Sequence, residues 1–173
     1  MRKTYKLTLT AMIIAIGTVS SSMVAIPIGF TKVFPVQHFL NVLSAVLLGP
    51  VYAVAQAFCV SLLRNLMGTG SIFAFPGSMA GALLAALIFA KTKKIYHAVI
   101  GEVIGTGIIG AILCYPIATL FLGQKATLFG FIPLFIFSSF AGALLGFIML
   151  VVFLRKKVVH VDAANDVQVL KTK

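Results

Sequence analysis

The sequence predicts an all-α membrane protein, a six-transmembrane-helix bundle with both termini cytoplasmic. Three observations predict it. Hydrophobic residues make up 61% of the 173 and charged residues only 10%, against about a quarter charged in a soluble domain. The mean hydropathy is +1.13, and apolar runs recur along nearly the whole chain, leaving little room for a soluble domain. The net charge is +11, yet most of the basic residues flank the apolar runs. That is the placement of topology signals, and it argues against a nucleic-acid partner.

The first span is expected at about Leu7–Val24. Arg2, Lys3 and Lys6 precede it as in a signal peptide, but no small-x-small cleavage site follows, so the segment reads as a retained helix. The second, about Val36–Leu48, is short and is ended by Gly49-Pro50. Pro50 suits the first turn of the third span, which runs to about Met67. The fourth extends from near Pro76 to Ala90, the fifth over about Ile95–Phe121 with Pro116 near its far end, and the sixth over about Ile132–Leu154. Residues 1–154 thus form one six-helix domain, and residues 155–173 a basic tail expected to be flexible. A helix crosses the hydrocarbon with about 20 residues. The second and fourth spans fall short of that, which is tolerable where the flanking backbone is buried in protein or lines a cavity.

The basic clusters orient the spans. Arg2, Lys3 and Lys6, then Lys91, Lys93 and Lys94, then Arg155, Lys156 and Lys157 fall on one side only if the number of spans between each pair of clusters is even. Four and two spans separate them, so both ends are cytoplasmic. The loops at Ile26–Pro35, Gly68–Phe75 and Gly123–Gly130 then face outward. Small residues at four-residue spacing mark close helix contacts. They occur as Gly77, Gly81 and Ala85 in the fourth span, Gly101 and Gly105 in the fifth, and Ser138, Gly142 and Gly146 in the sixth. These are expected to pack inside the bundle. The first span has two such pairs. Gly17 and Ser21 are expected to pack internally, leaving Ala11 and Ala15 to face a partner.

Polar side chains are costly in lipid, so their positions are informative. Gln37, His38 and Asn41 lie at the outer start of the second span, with Gln37 and Asn41 on one helical face. Arg64, Asn65 and Thr69 lie at the outer end of the third. Phe73, Phe75 and Ser78 continue across the loop into the fourth, and Tyr115 lies toward the outer end of the fifth. Together they have the composition of a small-molecule pocket, with apolar and aromatic walls and a few directed polar groups. Arg64 has two readings: it snorkels to the interface, or it closes one side of a pocket and bonds a lid or ligand. His38 reads equally as an interfacial histidine. Glu102 is the one acid within the spans, about 10 Å by helix rise from the cytoplasmic end of the fifth, with Thr106 one turn on and able to hydrogen-bond it. It is either a substrate or proton site or a structural carboxyl.

Cys59 and Cys114 lie in apolar runs without a Cys/His cluster, so no metal is expected. The Gly-rich "GTGS" lacks the lysine and strand–helix setting of a phosphate loop, and no nucleophile–base arrangement stands out. The chain is therefore expected to be neither an enzyme nor an ATPase, and no cofactor is implied.

The blocks "IPIGFTKVFPVQHFLNVLSAVLLGP", "SLLRNLMGTGSIFAFPGSMAGALLAAL" and "GEVIGTGIIGAILCYPIA" resemble the substrate-binding S components of energy-coupling-factor (ECF) vitamin transporters, of the ThiW type. The resemblance covers roughly Leu7–Leu154. It implies a six-helix substrate-binding domain in the plasma membrane with an outward-opening pocket under extracellular loops. It also implies capture of a thiamine precursor, hydroxyethylthiazole first among the candidates, and import powered by a transmembrane coupling subunit and two ATPase subunits. Ala11 and Ala15 match the surface by which such components meet the coupling subunit. A compact, uncharged thiazole needs stacking walls, for which Phe34, Phe73, Phe75 and Tyr115 are candidates. It also needs hydrogen bonds, for which Gln37, His38, Asn41, Asn65 and Glu102 are candidates. The competing reading is a stand-alone proton-coupled carrier using Glu102, against which the lack of inverted-repeat signals weighs.

Overall fold

Apolar runs this long satisfy their backbone groups internally only as helices, and six helices dominate the computed structural model, which describes residues 3–23, 26–28, 31–123, 128–156, 159–161 and 167–169. They are α1 Lys3–Met23, α2 Pro35–Leu47, α3 Pro50–Leu66, α4 Ala74–Thr92, α5 Ile95–Phe121 and α6 Leu128–Arg155. Two short antiparallel strand pairs accompany them. β1 (Ile26–Ile28) pairs with β2 (Thr31–Val33) ahead of α2, with Ile26 opposite Val33. β3 (Val159–Val161) pairs with β4 (Val167–Val169) in the tail expected to be flexible. Arg2 and Lys157 of the basic clusters, and residues 158, 162–166 and 170–173 of the tail, lie outside the described residues.

Helices α4 and α5, and Gly130–Arg155 of α6, are long and apolar enough to cross a membrane. For α4 this corrects an expectation. It starts at Ala74 and runs to Thr92, 19 residues, because Pro76 falls within its first turn, where a missing N–H costs no helical bond. α6 likewise starts at Leu128, four residues before the expected Ile132, and carries Pro133 inside it.

The short α2 is the centre of the molecule. It packs against α1, α3, α4, α5 and α6, and 11 of its 13 residues are buried. A helix ringed by protein does not need to match the bilayer thickness by itself. Gly49 at φ 86° makes the turn into α3, a left-handed conformation that glycine adopts without a Cβ penalty. Pro50 then begins α3 with φ already suited to a first turn.

The small residues pack inside the bundle as expected. A methyl group placed on Gly101 would lie 2.9 Å from Ala85 Cα, one on Gly105 2.7 Å from Gly81 Cα, and one on Gly110 2.6 Å from Gly77 Cα. The α4 partners are spaced by four, whereas Gly105 and Gly110 are five apart. The segment Gly105–Gly110 is a π-helical turn. Its i→i+5 bonding absorbs the extra residue and keeps all three small pairs face to face. A second π-turn, Ile117–Phe121, follows Pro116. On α6, Gly142 lets the helix close onto the Pro35 carbonyl and the His38 Cβ, and Gly146 closes onto Val42. On α1, Gly17 and Ser21 are buried, while Ala11 and Ala15 are exposed with Met12, Ile16 and Val19.

Candidate functional site

Helix α2 brings its polar face to the centre of the bundle, where α3, α4 and α5 answer it. Gln37 is 2% exposed, His38 9%, and Asn41, Ser61 and Glu102 are fully buried. Arg64, at 1%, does not snorkel. Its guanidinium donates through Nη1 to Gln37 Oε1 and through Nη2 to the Thr69 carbonyl at 3.1 Å, and it lies 4.0 Å over the Phe34 ring. One side chain thus joins α2, α3, the loop after α3 and the residue preceding α2. A charge removed from water is tolerated only with such partners.

From Arg64 the bonds run inward. Gln37 Nε2 donates to Ser61 Oγ at 2.8 Å, Ser61 and Ser78 share a hydroxyl contact at 3.1 Å, and Ser78 Oγ donates to the Ala74 carbonyl at 2.7 Å. Asn41 Nδ2 bridges the next layer, donating to the Ser78 carbonyl at 3.1 Å and to Glu102 Oε1 at 2.9 Å. The same carboxylate oxygen is 2.9 Å from His38 Nδ1 and 3.0 Å from Thr106 Oγ1. The Glu102–Thr106 bond is as the spacing predicts.

The His38–Glu102 contact is not. The sequence places His38 near one end of the bundle and Glu102 near the other. The short α2 reconciles them. His38 lies nine residues above Leu47, and Glu102 seven residues above Ile95, so the two rises, about 14 and 10 Å, come out similar. Among the described residues no ion pair joins Arg64 to Glu102; Gln37, Ser61, Ser78 and Asn41 separate them.

The remaining candidates divide. Asn65 Nδ2 donates to the carbonyls of Ser61 and Ser71 at 2.8 and 3.0 Å, and Thr69 N–H donates to the Arg64 carbonyl at 2.9 Å. Both shape the loop after α3. Phe75 packs on Phe58, centroids 5.6 Å apart, and Phe73 on Phe131 at 5.1 Å. Tyr115 is 41% exposed, and it is Cys114 beside it that turns inward to the Phe73 carbonyl. Residues missed by the sequence reading are Ser61, Phe131 and Phe135. An i,i+4 aromatic pair near the start of α6 is the signal that marks the last two.

Several buried atoms at this centre have no hydrogen-bond partner among the described residues, namely Asn41 Oδ1, Arg64 Nε and Glu102 Oε2. Buried polar groups are rarely left so. No metal-holding group of three or more His, Cys, Asp or Glu is found among the described residues.

Searches of curated proteins and of solved structures return no match. A family model of thiamine-precursor transporter proteins (ThiW) matches residues 7–156, which takes in all six helices almost to their ends. The chain, a membrane protein with a buried polar centre, therefore belongs to the ThiW family of thiamine-precursor transporter proteins.

Proposed function

We propose that this chain is the substrate-capturing S component of an ECF-type transporter in the plasma membrane, with hydroxyethylthiazole as its cargo. In this reading residues 1–154 cross the membrane six times with both termini cytoplasmic, and the β1–β2 hairpin and the loop after α3 cover the site from outside. The observation that carries the reading is the buried hydrogen-bonded centre, with unpartnered donor and acceptor atoms at Asn41 and Arg64 inside an apolar bundle. Such a centre costs stability unless a ligand completes it. Phe73 and Phe34 supply walls beside it. Import is driven by partner subunits, a transmembrane coupling protein and two ATPases. The exposed Ala11 and Ala15 on α1 are the close-contact surface offered to the coupling protein.

Calorimetry of the purified chain with hydroxyethylthiazole tests the reading. Heat or thermal stabilisation at micromolar ligand is expected, and absence of both would overturn it. The second reading, a proton-coupled carrier, is favoured by the fully buried Glu102 carboxyl and its His38 partner. It requires uptake driven by a pH gradient without ATP and abolished by Glu102→Gln.

A further inference from the structure

The orientation of the Asn41 amide is set by its neighbours. Its Nδ2 is 3.1 Å from the Ser78 carbonyl, which only accepts, so this atom is the donor nitrogen and the assignment of the amide is secure. The same nitrogen is 2.9 Å from Glu102 Oε1, which makes Oε1 an acceptor. With no proton on Oε1, this oxygen accepts from His38 Nδ1 as well, at 2.9 Å. In the neutral imidazole that donation places the proton on Nδ1 and leaves a lone pair on Nε2. This conclusion is the same whether the carboxyl is ionised or holds a proton on Oε2. His38 keeps 11% of its side-chain surface while Glu102 keeps none, so within this dyad the imidazole is the part that remains open. Nε2 has no hydrogen-bond partner among the described residues. Glu102 is held from both sides: the Thr106 hydroxyl, shared with the Gly77 carbonyl at 3.2 Å, lies 3.0 Å from Oε1, and the carboxyl lies against α4 where Gly81 has no side chain.

We propose that Glu102 is a positioning residue that sets the tautomer of His38, so that His38 Nε2 accepts a hydrogen bond from a hydroxyl group of the ligand. The inference rests on the reading of this centre as the substrate site. Glu102 acts through His38 and does not touch the ligand. Hydroxyethylthiazole has one hydrogen-bond donor, its hydroxyl, and an acceptor-only Nε2 is its complement. A ligand identical but for that hydroxyl would cover Nε2 and leave it unpaired, which lowers its affinity.

Two measurements test it on the full chain. The first needs no ligand. Ring nitrogen-15 spectra of the three histidines, with His38 assigned by its loss in His38→Phe, report which nitrogen is protonated. Protonation at Nδ1 is expected in the wild type and in Glu102→Gln, whose amide oxygen still accepts. A mixture of tautomers is expected in Glu102→Leu. A wild-type His38 protonated at Nε2 overturns the proposal, and so does an unchanged tautomer in Glu102→Leu. The second compares hydroxyethylthiazole with its ethyl analogue by calorimetry. The wild type is expected to prefer the alcohol by about tenfold, His38→Phe to bind both alike, and Glu102→Gln to retain the preference that Glu102→Leu loses. An undiminished preference in His38→Phe overturns the proposal. A wild type that binds neither thiazole removes the substrate reading and the hydroxyl contact together, while the nitrogen-15 result still decides the tautomer.

Discussion

Replacing Gly81 with alanine tests the packing that seats Glu102. A methyl group there would overlap Thr106 Oγ1 and would lie 2.6 Å from Glu102 Oε2 and 2.8 Å from its Cδ. Carbon–oxygen contacts rest at about 3.3 Å or more, so the carboxylate must retreat by about 0.7 Å or α4 and α5 must part. Either movement stretches bonds to His38, Asn41 and Thr106 that now measure 2.9–3.0 Å beyond useful hydrogen-bond range. Overpacking of this kind costs about 1–3 kcal/mol, and a hydrogen bond to a charged group about 1.5–3 kcal/mol. Overpacking of about 3 kcal/mol by itself lowers the melting temperature by roughly 6–12 °C for a chain of this size, and the lost bonds add to that. Detergent-solubilised protein, melted with and without hydroxyethylthiazole, reads both stability and ligand response. Gly146→Ala is the control. Its methyl group would sit 3.1 Å from Val42 Cβ, a tight contact with α2 rather than α5 and away from the carboxylate, so a smaller loss of stability with unchanged affinity is expected. Thr106→Ala added to Gly81→Ala removes the closest overlap and should return part of the loss, with a coupling of about 0.5–3 kcal/mol. A Gly81→Ala protein that melts and binds like the wild type would refute the reasoning, because the α4–α5 contact would then not constrain the site.

Asn41→Ala removes the donor between the Ser78 carbonyl and Glu102 and should weaken thiazole binding at least tenfold, about the worth of one charge-assisted bond; calorimetry measures it. Arg64→Lys keeps the charge but loses the two-pronged grip on Gln37 and Thr69 and the stacking on Phe34. Faster proteolysis in the loop after α3 and a lower melting temperature are expected. Tyr115→Phe should leave affinity unchanged because the side chain is 41% exposed, and a clear loss would return Tyr115 to the site. Ala11→Trp should preserve ligand binding and stop uptake in cells that hold the full transporter, and retained uptake would remove α1 from the partner contact.

The amino-acid sequence by itself determined the class of this protein and the location of its helices. The long apolar runs leave no other way to satisfy the backbone, and Gly49-Pro50 punctuates α2 and α3 through local dihedral chemistry alone. It also determined the Glu102–Thr106 bond and the inward packing of Gly77, Gly81, Ala85 and Gly142, since these depend on spacing within one helix. What only the tertiary structure decided are relations between helices. Residue spacing measures depth along an axis, but the axial shift of one helix against another is set by how side chains interlock. His38 and Glu102 meet because the short α2 sits among five longer neighbours, and no spacing in either segment encodes that. The π-turn at Gly105–Gly110 has the same origin, for it appears where α5 must hold register with the four-residue rows of α4. Rotation about the helix axis decides the rest, turning Cys114 inward and Tyr115 outward, and burying Arg64 at a helix end where its sequence position allowed it to reach water.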